Sequence, residues 1–138
     1  MNDSDMQAML IEYMGKGFLD NIIALFRQDG TLCRFIPAML GEENMRVRLG
    51  TMALVEELAD LHRHDLGAAV PGLVELSKHE NPTIRGDAVM ALGIIKDPVS
   101  QTALESCLRD SNQDVREAAR DALAAIGSDG GSEQPESS

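Results

Sequence analysis

The sequence contains few aromatic residues and little cysteine. Among its 138 residues there are no tryptophans, one tyrosine and three phenylalanines. The two cysteines, Cys33 and Cys107, are far apart, lie in apolar stretches and form no Cys-x-x-Cys pair. This pattern argues against a disulfide framework and against a cysteine metal site. We therefore expect both thiols to be small, buried hydrophobic groups.

Basic side chains are scarce as well. Twelve lysines and arginines face 23 aspartates and glutamates, which gives a net charge of −11 and an isoelectric point near 4.5. The two halves of the chain carry similar mixtures of charge, so no basic stripe is present to neutralise phosphates. The composition therefore argues against a nucleic-acid partner. We attribute the acidity to solubility rather than to an electrostatic binding site.

Long apolar runs are also missing. The longest apolar runs, such as the one within residues 21–26, are far shorter than the roughly 20 residues that span a bilayer, and the acidic start MNDSD does not resemble a signal peptide. We therefore expect a cytoplasmic protein that does not bind membranes. The length suits one domain, which we place at residues 1–126. Residues 127–138, GSDGGSEQPESS, are predicted to be a disordered acidic Gly/Ser tail.

One helical template recurs along the chain. Residues 81–95 (NPTIRGDAVMALGII) align with residues 112–126 (NQDVREAARDALAAI), and residues 44–58 fit the same template. In each copy an asparagine comes first, an arginine follows the first apolar residue, and apolar residues recur on one helical face. Those apolar-face positions are Ile84, Ala88, Ala91, Leu92 and Ile95; Val115, Ala119, Ala122, Leu123 and Ile126; and Val47, Thr51, Leu54, Val55 and Leu58.

A second kind of helix alternates with the first. Residues 36–40 (IPAML) match residues 70–74 (VPGLV), and both segments end shortly before the next asparagine. Proline is tolerated in the first turn of a helix because the N–H that it lacks would be unpaired there. Asp97-Pro98 starts the equivalent helix of the last full unit. Its inner face is predicted to hold Ala103, Leu104, Cys107 and Leu108.

The segment N-x-x-[IV]-R-x-x-A-x-x-A-L resembles the first helix of HEAT-like repeats, in particular the short PBS-lyase-type variety. This resemblance implies an all-α fold, an α-α superhelix of about three helical pairs plus terminal helices. The pairs would lie near residues 18–42, 44–78 and 81–110, followed by a closing helix at 113–126. Residues 5–15 fit no repeat position and are predicted to form an extra N-terminal helix.

The N-terminal part differs in composition from the repeats. All four aromatic residues lie within the first 35 positions, and seven of the eight methionines lie within the first 52. The second half uses alanine, leucine, isoleucine and valine instead. Two explanations remain open, namely a cap that fills the irregular end of the stack and a docking patch.

The repeated arginines are Arg48, Arg85 and Arg116. In HEAT-like repeats the arginine at this position pairs with acids of the neighbouring unit, so the resemblance implies a structural ladder rather than a binding row. The acids in reach by sequence are Asp87, Asp110, Asp114 and Asp121.

Three histidines are candidates for chemistry: His62, His64 and His79. Deoxyhypusine hydroxylases, which share this architecture, bind iron through His-Glu dipeptides placed directly after the repeated arginine. At the matching positions this chain has Leu49-Gly50, Gly86-Asp87 and Glu117-Ala118, and His79-Glu80 lies in a different register. We therefore expect no metal, no cofactor and no catalytic residues.

The resemblance and the absence of a catalytic set predict a non-catalytic protein–protein interaction module or scaffold. In HEAT-like stacks the second helices line the concave side, which implies a partner-binding face there. Its outward residues are Glu75, Lys78, Gln101, Glu105 and Arg109. An alternative is an accessory subunit of an enzyme complex, redox or lyase-related, because bilin lyases with this repeat type act with partner subunits. A homodimer through the N-terminal helices is also open.

Overall fold

The computed structural model describes residues 1–61 and 64–131, the last four of them as backbone alone. These residues form α-helices connected by turns or by short 3-10 segments, with no strand among them. The prediction of an all-α, HEAT-like helical repeat is confirmed. The helices are α1 (Asp3–Gly15), α2 (Leu19–Gln28), α3 (Ile36–Leu40), α4 (Met45–Leu61), α5 (Val70–Leu76), α6 (Pro82–Ile95), α7 (Gln101–Cys107) and α8 (Gln113–Gly131).

The order of long and short helices follows the predicted alternation. The long first helices are α2, α4 and α6, and the short second helices are α3, α5 and α7. A 3-10 segment precedes each second helix, a feature that the sequence analysis did not predict. The three segments are Gly30–Phe35, Asp65–Ala69 and Pro98–Ser100.

The last helix ends later than predicted. α8 continues to Gly131, so residues 127–131, assigned to a disordered tail, are helical. Their glycines raise the cost of helix formation without forbidding it, and composition therefore gave the wrong boundary. The remainder of the predicted tail, residues 132–138, lies outside the described residues.

The recurring asparagine starts each first helix that matches the template. The side-chain oxygens of Asn44, Asn81 and Asn112 accept the backbone N–H two residues further on, at 2.9, 2.8 and 2.8 Å respectively. The first turn of a helix leaves backbone N–H groups without partners, and an asparagine N-cap supplies one. The template therefore includes an N-cap asparagine as well as the apolar residues of one helical face.

The chain divides into two compact units, residues 1–72 and residues 73–138. The division falls inside the predicted 44–78 repeat, and the assignment of residues 1–126 to one domain stays a prediction. In the first unit α4 packs against α1, α2 and α3, and the two 3-10 segments pack against each other. Its largest fully buried side chains are Leu10, Met14, Ile22, Phe26, Ile36, Met39, Leu40, Leu54, Leu58 and Leu66.

In the second unit α6 and α7 both pack against α8. The contact between α6 and α8 is close, because a Cβ added at Gly93 would lie 2.8 Å from the Ala122 Cβ and 2.9 Å from its Cα. The core of this unit is built from small and branched residues: Leu73, Ile84, Ala88, Val89, Ala91, Leu92, Ile95, Leu104, Cys107, Val115, Ala119 and Ala122.

The predicted apolar faces are nearly all inside. Every template position of α4 and α6 is buried, whereas Leu123 and Ile126 of α8 are half-buried. Leu108, predicted on the inner face of its helix, is exposed instead, because α7 ends at Cys107 and the backbone turns before Leu108.

Candidate partner-binding grooves

The repeated arginine of the last full pair makes two kinds of contact. The Arg85 Nε and Nη2 atoms donate to the two Asp110 carboxylate oxygens at 2.9 and 2.8 Å, a bidentate pair. Arg85 Nη1 donates to the carbonyl oxygens of His79 and Glu80, at 3.0 and 3.2 Å. The Arg85 and Asp110 side chains are only 14% and 12% exposed. A single guanidinium therefore joins the turn before α6 to the turn after α7.

The same carbonyl contact recurs at the other two arginines. Arg48 Nη1 donates to the carbonyls of Glu42 and Glu43 at 3.0 and 2.7 Å, and Arg116 Nη1 donates to the Asp110 carbonyl at 2.7 Å. In all three copies the acceptor precedes the arginine by five or six residues.

The arginine therefore fastens the end of one helical pair to the start of the next helix, as the predicted structural role requires. Of the acids proposed as partners, Asp110 is confirmed. The pairing of Asp87, Asp114 and Asp121 with arginines of the row stays a prediction.

A groove lies between the end of α5 and α7 in the second unit, and we call it the second-helix groove. Its volume is about 590 Å³. The lining residues are Val74, Ser77, Lys78, Arg85, Val99, Thr102, Ala103, Ser106, Cys107 and Asp110. The groove lies on the helices that carry the predicted partner-binding residues, of which it includes Lys78.

The charged groups on the floor of the second-helix groove are paired with each other. The Arg85 guanidinium lowers the pKa of Asp110, so this carboxylate stays ionised and paired. Burial is the main cause that raises the pKa of the Cys107 thiol, which keeps it protonated near neutral pH. A protonated, buried thiol is a poor nucleophile, and this favours a packing role for Cys107.

The rim of the second-helix groove is open and mixed in chemistry. Val99 is 73% exposed, a large fraction for a branched apolar side chain. Thr102 and Ser106 are exposed beside it, and Lys78 is exposed on the α5 side. A surface that mixes apolar and polar side chains in this way is typical of non-obligate protein interfaces.

All five predicted partner-binding residues are exposed, but only Lys78 lines the groove. Glu75 lies 3.9 Å from Lys78 as a surface ion pair, and Gln101 donates to Glu105 at 3.1 Å. Arg109 is exposed beyond the end of α7. A role for these residues in binding stays a prediction.

Sequence reasoning missed the apolar and hydroxyl side chains of the groove, above all Val99. One signal was available. Val99 follows the Asp97-Pro98 helix start and does not belong to the predicted inner face of that helix.

A second groove, the N-terminal groove, lies in the first unit, where the α1–α2 junction meets α4. Its volume is about 550 Å³, and its lining is Met14, Gly17, Leu19, Met45, Arg46, Leu49, Gly50 and Ala53. Met45 and Leu49 are 62% and 63% exposed. The junction is shaped by Gly17, whose φ of 88° is left-handed and suits glycine.

The methionine and aromatic cluster of the N-terminal part is divided between core and surface. Phe26, Phe35, Met14 and Met39 are among the buried residues. Tyr13 and Phe18 stay exposed and pack edge to face, with ring centroids 5.7 Å apart. Part of the cluster is therefore core material of the first unit, and part is surface.

Histidine and metal chemistry have little support within residues 1–61 and 64–131. No group of three or more His, Cys, Asp or Glu side chains there is arranged to hold a metal ion. His79 Nδ1 accepts the Asn81 N–H at 2.9 Å as part of a turn, His64 lies 3.4 Å from the Asp65 carboxylate, and His62 falls outside the described residues. The expectation of no metal and no cofactor stays a prediction.

Comparison with known proteins identifies the family of this chain. The family model for HEAT repeats matches residues 34–124. The chain belongs to the HEAT-repeat family. A comparison with curated proteins finds no match.

The HEAT-repeat match includes all three arginines and the whole second-helix groove, whereas α1 and α2 lie outside it. HEAT repeats generally mediate protein–protein interaction, so a protein partner is the expectation that the family supports. None of the helices in the described part of the chain combines the length and apolar character needed to cross a membrane.

Proposed function

We propose that this HEAT-repeat chain is a non-catalytic, cytoplasmic scaffold of the short PBS-lyase-type variety, and that its second-helix groove receives a segment of a partner protein. The observation that carries the proposal is the exposed Val99 at the rim of a groove whose charged floor is internally paired. Arg85 and Asp110 satisfy each other, so a partner need not neutralise a buried charge to enter.

The groove offers what a modest protein interface needs. Val99, Ala103 and Val74 supply apolar surface, and burying such surface is the main favourable term in association. Thr102, Ser106 and Lys78 supply hydrogen-bond groups at the rim. The five predicted surface residues, from Glu75 to Arg109, would then form the polar border of the interface.

The absence of catalysis is part of the same proposal. The thiol of the groove, Cys107, is buried with a raised pKa, and no histidine is among the lining residues to activate the serine and threonine hydroxyls. An accessory subunit of a redox or lyase-related complex would use the same surface. The identity of the partner separates the two: a constant enzyme partner indicates the accessory subunit, and a set of different partners indicates the scaffold.

The test is affinity capture from the source organism with the full chain, followed by quantitative mass spectrometry. Val99→Glu places a charge at the rim, and Met90→Glu is the matched control, because Met90 is half exposed on α6 and does not line the groove. We expect Val99→Glu to reduce at least one captured protein about tenfold, a change worth ~1.4 kcal/mol, and Met90→Glu to retain it. Identical captured sets for the unaltered chain and Val99→Glu would contradict the proposal, provided that circular dichroism shows both to be folded.

A further inference from the structure

We infer that the N-terminal groove is a second docking surface, and that it binds an amphipathic helix of another protein whose apolar stripe is followed by lysine or arginine. The inference rests on the proposed protein-binding function but concerns a different groove in the other compact unit. The surfaces can therefore be tested independently.

The exposed apolar residues of α4 are not dictated by the repeat. Counting from the capping asparagine, Leu49 corresponds to Gly86 of α6 and to Glu117 of α8. Met45, counted in the same way, corresponds to Pro82 and Gln113. Only α4 places two long apolar side chains at these outward positions, and each is more than half exposed. Contiguous exposed apolar surface of this kind marks interaction sites.

Small residues deepen the surface into a groove. Gly50 has no side chain, and the Met14 side chain packs directly against its backbone, since a Cβ at Gly50 would be 2.5 Å from the Met14 Sδ. Methionine is flexible and polarisable, and surfaces rich in it adapt to partner side chains. Ala53, one turn beyond Leu49, continues the groove along the helix axis.

The charge of the same face specifies the partner. Met45, Leu49, Ala53, Glu56 and Asp60 follow one another at spacings of three or four residues and so lie along one side of α4. Glu56, Asp60 and the neighbouring Glu57 are exposed. The face is therefore apolar in its first half and acidic in its second half.

At the opposite end of the groove lies the cation Arg46, and Lys16 is next to the lining residue Gly17 in the sequence. Lys16 pairs with Glu12 at 3.0 Å, and Arg46 donates to the Gly15 carbonyl at 3.5 Å. The acidic half of α4 is thus the end that a basic segment complements.

A helix fits this surface better than other occupants. The apolar positions recur at each turn of α4, and a partner helix presents side chains at the matching i, i+3, i+4 and i+7 spacing. A second copy of this chain would bring a net charge of −11 toward the same carboxylates, and like-charged surfaces repel. Opposite charge therefore favours a basic helix over self-association.

The experiment is selection from a displayed library of helical peptides, with the full chain as bait. The library has leucine or another apolar residue at i, i+3, i+4 and i+7 and random residues elsewhere. We expect the selected peptides to carry lysine or arginine after the apolar stripe. Their binding, measured by fluorescence anisotropy, should weaken at least tenfold for Leu49→Glu and about tenfold for Glu56→Lys, Glu57→Lys and Asp60→Lys combined.

Each remaining outcome is decisive. Selected peptides without basic enrichment, or peptides that bind Leu49→Glu as tightly as the unaltered chain, would overturn the inference. Sedimentation velocity tests whether the groove binds a second copy of the chain. If no peptides are selected, and the unaltered chain forms a dimer that Leu49→Glu abolishes, a second copy occupies the groove and the inference is wrong. Val99→Glu should leave the peptide affinity unchanged, so that failure of one surface does not imply failure of the other.

Discussion

The two compact units begin helices in the same way, with an asparagine N-cap and an arginine that binds preceding carbonyls, but their helices pack differently. Asn44 and Arg48 in the first unit do what Asn81 and Arg85 do in the second, capping a helix start and binding the preceding carbonyls. In the second unit Gly93 meets the backbone of Ala122, whereas Gly50 of the first unit meets the flexible Met14 side chain. The regular unit thus relies on close backbone contact, and the irregular unit relies on adaptable side chains.

This difference extends to the surface. The second unit buries its charged pair and leaves Val99 73% exposed beside polar side chains. The first unit exposes Met45 and Leu49 on α4 and leaves its Arg34–Asp3 ion pair in solvent. One repeat template can therefore present two chemically different surfaces, because the template specifies only the inner face and the helix start.

The largest expected difference concerns ion pairs. Asp110→Asn removes the carboxylate from a mostly buried bidentate pair, and we expect a loss of about 3 kcal/mol in the free energy of unfolding, because a partly buried guanidinium loses its counterion. Asp3→Asn is the matched control in the first unit, where the ion pair is exposed, and should cost under ~1 kcal/mol. Urea unfolding of both variants checks this, and equal losses would erase the contrast between the units.

The next effect concerns glycine. Gly93→Ala should cost ~1–3 kcal/mol, because the new methyl group meets backbone atoms of Ala122 that cannot move alone. Gly50→Ala should cost less than Gly93→Ala, since its new methyl group meets the flexible Met14 side chain rather than backbone, and alanine favours the helix. Thermal unfolding of both variants is the measurement.

Gly86→Ala is a control within the same helix as Gly93. Its Cβ would lie at an ordinary 3.9 Å from Val115, so the variant should be stabilised by up to ~1 kcal/mol. Destabilisation of Gly86→Ala as large as that of Gly93→Ala would contradict the close-contact explanation.

A smaller effect should be equal in the two units. Asn44→Ala and Asn81→Ala each remove an N-cap oxygen and should each cost about 1 kcal/mol. Chemical denaturation of the two variants tests whether the N-cap is shared. A several-fold difference between their losses in free energy of unfolding would mean that the two asparagines do not have the same capping role.

The pH dependence sharpens the same comparison. The pKa of Asp110 is lowered in the folded protein by the hydrogen bonds from Arg85. Its contribution to stability is therefore complete above the ordinary aspartate pKa of 3.8 and is lost as the pH falls through the lowered value. Asp110→Asn should flatten this acid part of the stability curve. An unchanged acid slope, measured by urea unfolding at a series of pH values, would show that the pair contributes little.

Much of the fold was predictable because the template carries local requirements. The asparagine marks the start of α4, α6 and α8, and the apolar spacing marks the buried positions such as Ile84 and Val115. α2 was harder to predict because its N-cap, Phe18, provides no side-chain hydrogen bond. The 3-10 segments were not predicted, since they are too short to show a period. Asp29 and Asp97 cap two of them, but an aspartate cap does not distinguish a 3-10 segment from the start of an α-helix.

The candidate site was less predictable than the fold. Exposure of Glu75, Lys78 and Glu105 follows from helical spacing, but a groove is made by residues from two elements that meet only after folding. Arg85 shows what sequence-based prediction can and cannot find. Its pairing with Asp110 was predicted from the family resemblance. Its hydrogen bonds to the His79 and Glu80 carbonyls were not, because backbone acceptors do not depend on residue type. Leu49 was noticed only as a position that lacks histidine, and its exposure required the packed first unit.

The most direct test of the central claim, that the two units carry separate protein-binding surfaces, is quantitative affinity capture with three baits: the unaltered chain, Val99→Glu and Leu49→Glu. The account predicts that each variant loses proteins that the other retains, because the two substitutions alter different grooves. If both variants capture the same proteins in the same amounts as the unaltered chain, neither groove binds a partner and the account is wrong.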